Sequence, residues 1–237
     1  MSHPDLDPAI IKATAARRGR RHVYEQVVPG RTALVVIDLQ NAFMRVGAPS
    51  EVPSARTIVP AVNRLATALR DGGGTVAWVQ ATYERGGWPL FFDHMVRPEL
   101  AARILAALRP GAPDHALWPE LAISAGDIIV PKYRFSAFLP GASTLPAMLR
   151  GRGIDTVVIA GCMTNMCCDT SARDAIMTDF RTIMAADCNA ARTDAEHLSA
   201  LASFLTGFGD VRRSDDLISE LTRASTDAGG GVGVRKG

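Results

Sequence analysis

The stretch DTVVIAGCMTNMCCDTSARDA, residues 155–175, decides the fold. Thr156-Val157-Val158-Ile159-Ala160 is β-branched and apolar on both faces, the pattern of a central strand in a parallel sheet. Gly161 is expected to end that strand, and a helix is expected over about 167–179. Cys167 then falls in the first turn of the helix. Unpaired N–H groups and a partial positive charge at a helix N-terminus favour a thiolate, so this thiol is expected to have a lowered pKa. The bland alternative is a packing cysteine, since cysteine is among the most buried residue types. The balance shifts because two other expected strands also end in polar residues.

The first of these strands is Ala33-Leu34-Val35-Val36-Ile37, which is apolar on both faces and runs into Asp38. A carboxylate at the carboxyl end of a buried strand points into the crevice where open α/β sheets bind ligands. Alternatively, Asp38 caps the next segment or forms a structural ion pair. The second is Asp127-Ile128-Ile129-Val130, followed by Pro131 and Lys132. A lysine there is either a surface charge or a second group at the same crevice.

Between these strands, Ile58, Val62, Leu65 and Leu69 recur at helical spacing, so 56–70 reads as an amphipathic helix stopped by Gly72-Gly73-Gly74. Residues 75–80 form the next strand. Residues 81–125 are too long for a compact βα connection and carry Trp88, Phe91, Phe92 and Trp118, with a short helix at 98–108. Such an insertion is either a lid over a small substrate or a subunit interface. Further on come a helix at 142–152, a strand at 182–186, a helix at 194–207, a short edge strand at 210–213 and a last helix at 214–223. Strands alternating with helices imply a three-layer αβα domain of the Rossmann-like, doubly wound kind. Its six-stranded, mainly parallel sheet is expected in the order 3-2-1-4-5-6. That order makes the strands at 33–37 and 156–160 neighbours, so Asp38 and Cys167 face one crevice. Lys132 enters from beyond the 75–80 strand.

The domain is expected to span 30–224. Before it lies a polar arm, 1–29, with a helix near Pro8–Arg18 and a solvated basic cluster at Arg17-Arg18-Gly19-Arg20-Arg21. After it lies a disordered glycine-rich tail, 225–237. With 237 residues, 47% of them hydrophobic, the chain can bury one substantial core. A formal net charge of +2 with mixed signs gives no nucleic-acid footprint. No apolar run approaches the ~18 residues of a membrane span, and no signal-peptide core opens the chain, so the expected compartment is the cytoplasm. The four cysteines, Cys162, Cys167, Cys168 and Cys188, form no C-x-x-C pair and have no zinc spacing. Cys168, turned ~100° from Cys167 on a helix, reads as packing.

Three segments together, ALVVIDLQNAF (33–43), KYRFSAF (132–138) and GCMTNMCCDTSARDA (161–175), resemble the isochorismatase-like cysteine hydrolases over roughly residues 30–222. The resemblance implies a triad of Cys167 as nucleophile, Asp38 as general base and Lys132 as the orienting charge. It also implies a cis peptide at Cys162–Met163, which turns the Met163 N–H toward the site beside that of Cys167 to form an oxyanion hole. The best motif match is to amidases of ureido and carbamoyl compounds, which act on small molecules without a cofactor. Metal-dependent nicotinamidases in this family use histidines soon after the first strand, whereas here no histidine lies between Asp38 and His94. True isochorismatases cleave a vinyl ether and lack the nucleophile. KYRFSAF and Glu196-His197-Leu198 lean toward them, while Cys167 leans away.

The expected reaction is hydrolysis of an amide or ureide C–N bond through a thioester, releasing ammonia or an amine. The alternatives are vinyl-ether hydrolysis, or a binding protein on the same scaffold. Gln40, Phe43, Trp88, Tyr133 and Asn165 are the candidate pocket lining. Arg134 is read either as a clamp on a substrate carboxylate or as half of a structural ion pair. His197 reads as a core histidine. The arm and insertion suggest a homo-oligomer, a dimer or a tetramer.

Overall fold

A computed structural model describes residues 5–229 of the chain, with side chains described to Arg223. Six strands form one all-parallel sheet: β1 (Thr32–Ile37), β2 (Thr75–Ala81), β3 (Ile128–Lys132), β4 (Thr156–Cys162), β5 (Arg181–Ala190) and β6 (Asp210–Arg212). The order is β3-β2-β1-β4-β5-β6, as the pattern of elements predicts. Every residue of β1 and β4 is buried, because helices cover both faces of the sheet centre. In chain order the helices are α1 (Pro8–Arg18), α2 (Asn41–Met44), α3 (Ala55–Asp71), α4 (Pro89–His94), α5 (Pro98–Leu108), α6 (Leu145–Gly151), α7 (Asp169–Met177), α8 (Asp194–Gly207) and α9 (Ser214–Gly229). One core layer packs Leu34 and Val36 against Ile58, Val62 and Leu65 of α3 and Leu217 of α9. The other packs Val35 and Ile37 against Leu145 of α6, Ala172 of α7 and Phe204 of α8.

Several boundaries differ from the sequence reading. Gly161 lies inside β4 rather than ending it. It pairs with Ile37 at φ +117°, and a Cβ there would sit 2.0 Å from the Ile37 carbonyl oxygen. Only a residue without a side chain lets the two strands approach so closely where they deliver Asp38 and the cysteine turn. Strand β5 continues to Ala190, past polar residues that resemble a loop. Asp187 accepts from the Ser214 N–H (2.7 Å) and Oγ (2.6 Å) at the start of α9, and Asn189 Nδ2 donates to the carbonyls of Ile159 (2.8 Å) and Ala185 (2.6 Å). The expected cysteine helix is split into a π-helical turn, Thr164–Cys168, and then α7.

The arm docks on its own domain. Its basic cluster is only partly solvated: Arg17 donates to the Thr206 carbonyl and Arg18 to those of Leu205 and Gly209, at the C-terminal end of α8. The buried Asp210 carboxylate on β6 accepts from the N–H groups of Val23 (2.9 Å) and Tyr24 (3.2 Å) and pairs with Arg212 at 3.0 Å. At the far edge of the sheet, Pro131 of β3 is exposed. The Lys132 carbonyl accepts from the Thr82 N–H, so by alternation Pro131 faces away from β2. At the C-terminus, α9 continues past Ser225, where the tail was expected to begin, and residues 230–237 of that expected tail lie outside the described residues.

Candidate active site

The carboxyl ends of β1, β3 and β4 meet at the point where the strand order reverses. Asp38 follows β1 with a left-handed backbone (φ +58°). A non-glycine residue holds that conformation only where its surroundings impose it. Here the Asp38 N–H donates to the Val79 carbonyl (2.9 Å), while its own carbonyl accepts from the Gln40 N–H (2.8 Å) and the Cys162 thiol (3.4 Å). Lys132 ends β3, and the loop after it is fastened to α7, the helix that follows the Cys167 turn. The Ala137 N–H donates to Ser171 Oγ on α7 (3.0 Å), while Ser136 Oγ accepts from the N–H groups of Phe138 and Leu139. On the third side, Thr164 Oγ1 lies 2.8 Å from His197 Nδ1 on α8, which fixes the turn bearing Cys167. The Cys162–Met163 peptide is cis, as the resemblance implies.

The three side chains converge. Lys132 Nζ lies 2.9 Å from Asp38 Oδ2, 3.4 Å from Cys167 Sγ and 3.1 Å from the Arg134 carbonyl oxygen. Asp38 and Lys132 are fully buried, and Cys167 is 7% exposed. Burial raises the Asp38 pKa above the ordinary carboxylate range, against the pull of Lys132. Burial works most strongly against the charge on Lys132, but Asp38, Cys167 and Tyr83 together outweigh it and hold Lys132 above the ordinary lysine range. The expected acidic thiol is not found. Burial, followed by the neighbouring Asp38 charge, pushes Cys167 up despite Lys132. The resting site is therefore a carboxylate–ammonium pair beside a neutral thiol. Moving the thiol proton to Asp38 leaves the net charge unchanged and places the thiolate against an ammonium.

Cys167 opens onto a cavity of about 350 Å³, the size of a small-ligand site. Its body is apolar, with Phe43, Phe91, Phe135, Ile104, Met163 and Met166. Its polar groups are Ser50, Tyr83, Arg97 and Arg192. The insertion supplies the roof, from Tyr83 to Leu108, and returns along the site through a bridge between Leu117 and Gln40.

Of the lining read from sequence, Phe43 reaches this cavity and the others are placed elsewhere; Met163, expected only as an oxyanion-hole donor, lines it too. Gln40 is fully buried, and its amide is engaged by the Ala81 N–H (2.8 Å) and the carbonyls of Ala81 (3.1 Å) and His115 (2.8 Å). It braces β2 against the insertion. Trp88 packs on Phe91 and Phe135, behind the cavity wall. Arg134 makes no ion pair among the described residues: its guanidinium stacks 5.2 Å over Trp88 and donates to the Tyr133 carbonyl. Tyr133 is exposed, and Asn165 lies in the π-helical turn off the lining. The missed residues had a signal. Arg192 follows the true end of β5, so the rule that singled out Asp38 and Lys132 selects it once that strand is drawn to Ala190.

Fold and site together define a doubly wound α/β hydrolase with a buried acid–lysine–thiol cluster at its switch point. The isochorismatase domain model matches residues 32–216, and the chain belongs to the isochorismatase family, a family of hydrolases. It is 34% identical over 213 residues to the ureidoacrylate amidohydrolase RutB of Pseudomonas savastanoi pv. phaseolicola, covering 82% of this chain and 85% of that protein. It is 32% identical to the maleamate amidohydrolase of Pseudomonas putida, covering 88% and 96%. A solved cysteine hydrolase from Pseudomonas syringae pv. phaseolicola superposes with a TM-score of 0.77 at 26% identity, covering 86% of this chain and 98% of that one.

Proposed function

We propose that this hydrolase cleaves the C–N bond of a small carboxylate-bearing ureide or amide through a thioester on Cys167. The observation that carries this reading is the Cys167 thiol, which touches the Lys132 ammonium and opens onto an otherwise apolar cavity with arginines among its polar groups. The relatives named above act on ureidoacrylate and maleamate, both carboxylates with a C–N bond to cleave.

Asp38 takes the Cys167 proton as sulfur bonds to the carbonyl carbon. The resulting oxyanion is received by the N–H groups of Met163 and Cys167. As the C–N bond breaks, protonated Asp38 returns the proton to the leaving nitrogen. Water then attacks the thioester, with Asp38 again taking a proton, and the carbon–sulfur bond breaks to regenerate the thiol. Because a neutral thiol is a poor nucleophile, a carboxylate with a raised pKa suits it as a base. Arg192, with Arg97, supplies the charge for the substrate carboxylate.

The test is ammonia release from ureido acids and monoamides of dicarboxylic acids, with mass spectrometry of the quenched enzyme. Cys167→Ala is expected to abolish release, and wild type to carry an acyl adduct on Cys167. Full activity in Cys167→Ala would refute the thioester route. Isochorismate turnover that survives Cys167→Ala but not Asp38→Asn would replace it with vinyl-ether hydrolysis.

A further inference from the structure

Tyr83 stands two residues beyond the Ala81 that pairs with Lys132, just past the end of β2, the strand flanked by those carrying Asp38 and Lys132. Its N–H donates to the Leu108 carbonyl (3.1 Å), and its ring packs edge-on against Phe92 (5.4 Å) and tilted against Trp88 (6.2 Å). The ring is thus held, 7% exposed, in the wall of the cavity that contains Cys167. Its hydroxyl has no hydrogen-bond partner among the described residues. A phenol in the wall of a ligand cavity offers an oxygen that a bound ligand can reach and pair. The charges of Lys132, Cys167 and Asp38 all act on the phenol, which shares its cavity with Cys167.

The geometry points to Tyr83 as the residue that selects ureides over plain amides, its phenol oxygen accepting the N–H that flanks the scissile carbonyl on the acyl side. This role rests on the hydrolase reading above, because it follows from how the other polar groups are used. The carbonyl oxygen is taken by backbone N–H donors, the leaving nitrogen by Asp38, and the carboxylate by the arginines. Ser50 belongs with Arg192, since Ser54 Oγ ties its segment to the Ala191 carbonyl at 2.6 Å. Tyr83 is the polar group left beside the scissile centre. A ureide places an N–H there, whereas a plain amide places a methylene, which leaves the phenol unpartnered. Sites that hydrogen-bond a substrate N–H reject analogues lacking it far more strongly than apolar sites reject a missing methylene.

The test compares Tyr83→Phe with wild type on matched pairs: 3-ureidopropionate with 4-carbamoylbutanoate, and the corresponding acrylates. Turnover is measured alongside the protection each compound gives Cys167 against iodoacetamide. The expected result is that Tyr83→Phe loses roughly tenfold in kcat/KM and in protection for the ureides, while the methylene partners change less than about threefold. Equal changes for both members of a pair, or none, overturn the role of Tyr83. Selective loss of protection without turnover in wild type keeps Tyr83 and refutes the hydrolase reading instead. Compounds that neither turn over nor protect refute both.

Discussion

At the scale of single residues, the site depends on one buried cation with three partners. Lys132 neutralises Asp38, contacts Cys167 and holds the Arg134 carbonyl, so removing it exposes each of them to a different penalty. Lys132→Met leaves Asp38 as an unpaired buried carboxylate, a change expected to cost about 3–5 kcal/mol in urea denaturation at pH 7, and Asp38→Asn combined with Lys132→Met should recover part of that loss. The pH profile follows the same logic. Burial raises Asp38 while Lys132 lowers it. The acid limb of kcat/KM in wild type is therefore expected above the ordinary carboxylate value of about 4, and in Lys132→Met it should move higher still, with a plateau reduced on the order of 10²-fold or more. An acid limb that stays put in Lys132→Met would show that Asp38 is not the group titrating. All three of these residues were legible in the sequence, Asp38 and Lys132 as polar side chains at the ends of apolar strands and Cys167 as a thiol at an expected helix start just beyond one. The state of the thiol was not legible. A position near a helix start suggested a lowered pKa, and the burial that reverses it exists only once the roof is folded over the site.

Among the elements, β1 and β4 carry the strictest requirement. The Gly161–Ile37 contact leaves no room for a methyl group, and a left-handed φ adds its own penalty. Gly161→Ala is expected to destabilise the fold by at least about 3 kcal/mol, or to prevent folding. Gly153→Ala, at φ +72° with nothing within 4 Å of the added Cβ, should cost about 1 kcal/mol. Thermal melts of the two variants decide the point, and equal losses would show that backbone conformation alone matters. Helix and strand identities could be read from periodicity almost throughout, α5 and α8 included. What escaped were positions whose role is set by a distant partner. Gly161 resembles a strand terminator until Ile37 lies beside it. Asp187 and Asn189 resemble a loop until one meets the start of α9 and the other the carbonyls of β4 and β5. The aromatic run from Trp88 to Phe92 hid α4, whose packing against Phe135 is likewise non-local.

Across the whole molecule, the arm packs at the β6 edge of the sheet, while the insertion roofs the cavity at the carboxyl ends of its strands. The arm is held by the buried carboxylate of Asp210, with Arg18 at 3.6 Å, Arg212 at 3.0 Å and two backbone N–H donors. Asp210→Ala leaves the N–H groups of Val23 and Tyr24 without their acceptor, while Arg212 keeps Glu220 at 2.8 Å, and it is expected to cost about 1–3 kcal/mol. It should also open residues 19–25 to limited proteolysis under conditions where wild type resists, and an unchanged cleavage pattern would show that α1 alone anchors the arm. Sheet order followed from alternation and handedness. The docking of the arm did not, because its hydrogen bonds have a main-chain group on one side, the carbonyls of Leu205, Thr206 and Gly209 or the N–H groups of Val23 and Tyr24, and such groups carry no sequence signal. The two flanks are finished by different means. At β6 the neighbouring space is already filled by the chain's own leading residues. At β3 nothing comparable lies alongside among the described residues, and the exposed Pro131 stands on the outward side. A foreign strand approaching there finds a rung of its ladder missing, since proline has no hydrogen to give. One imino acid thus discourages open-ended stacking of these molecules at the margin where their main chain is least covered.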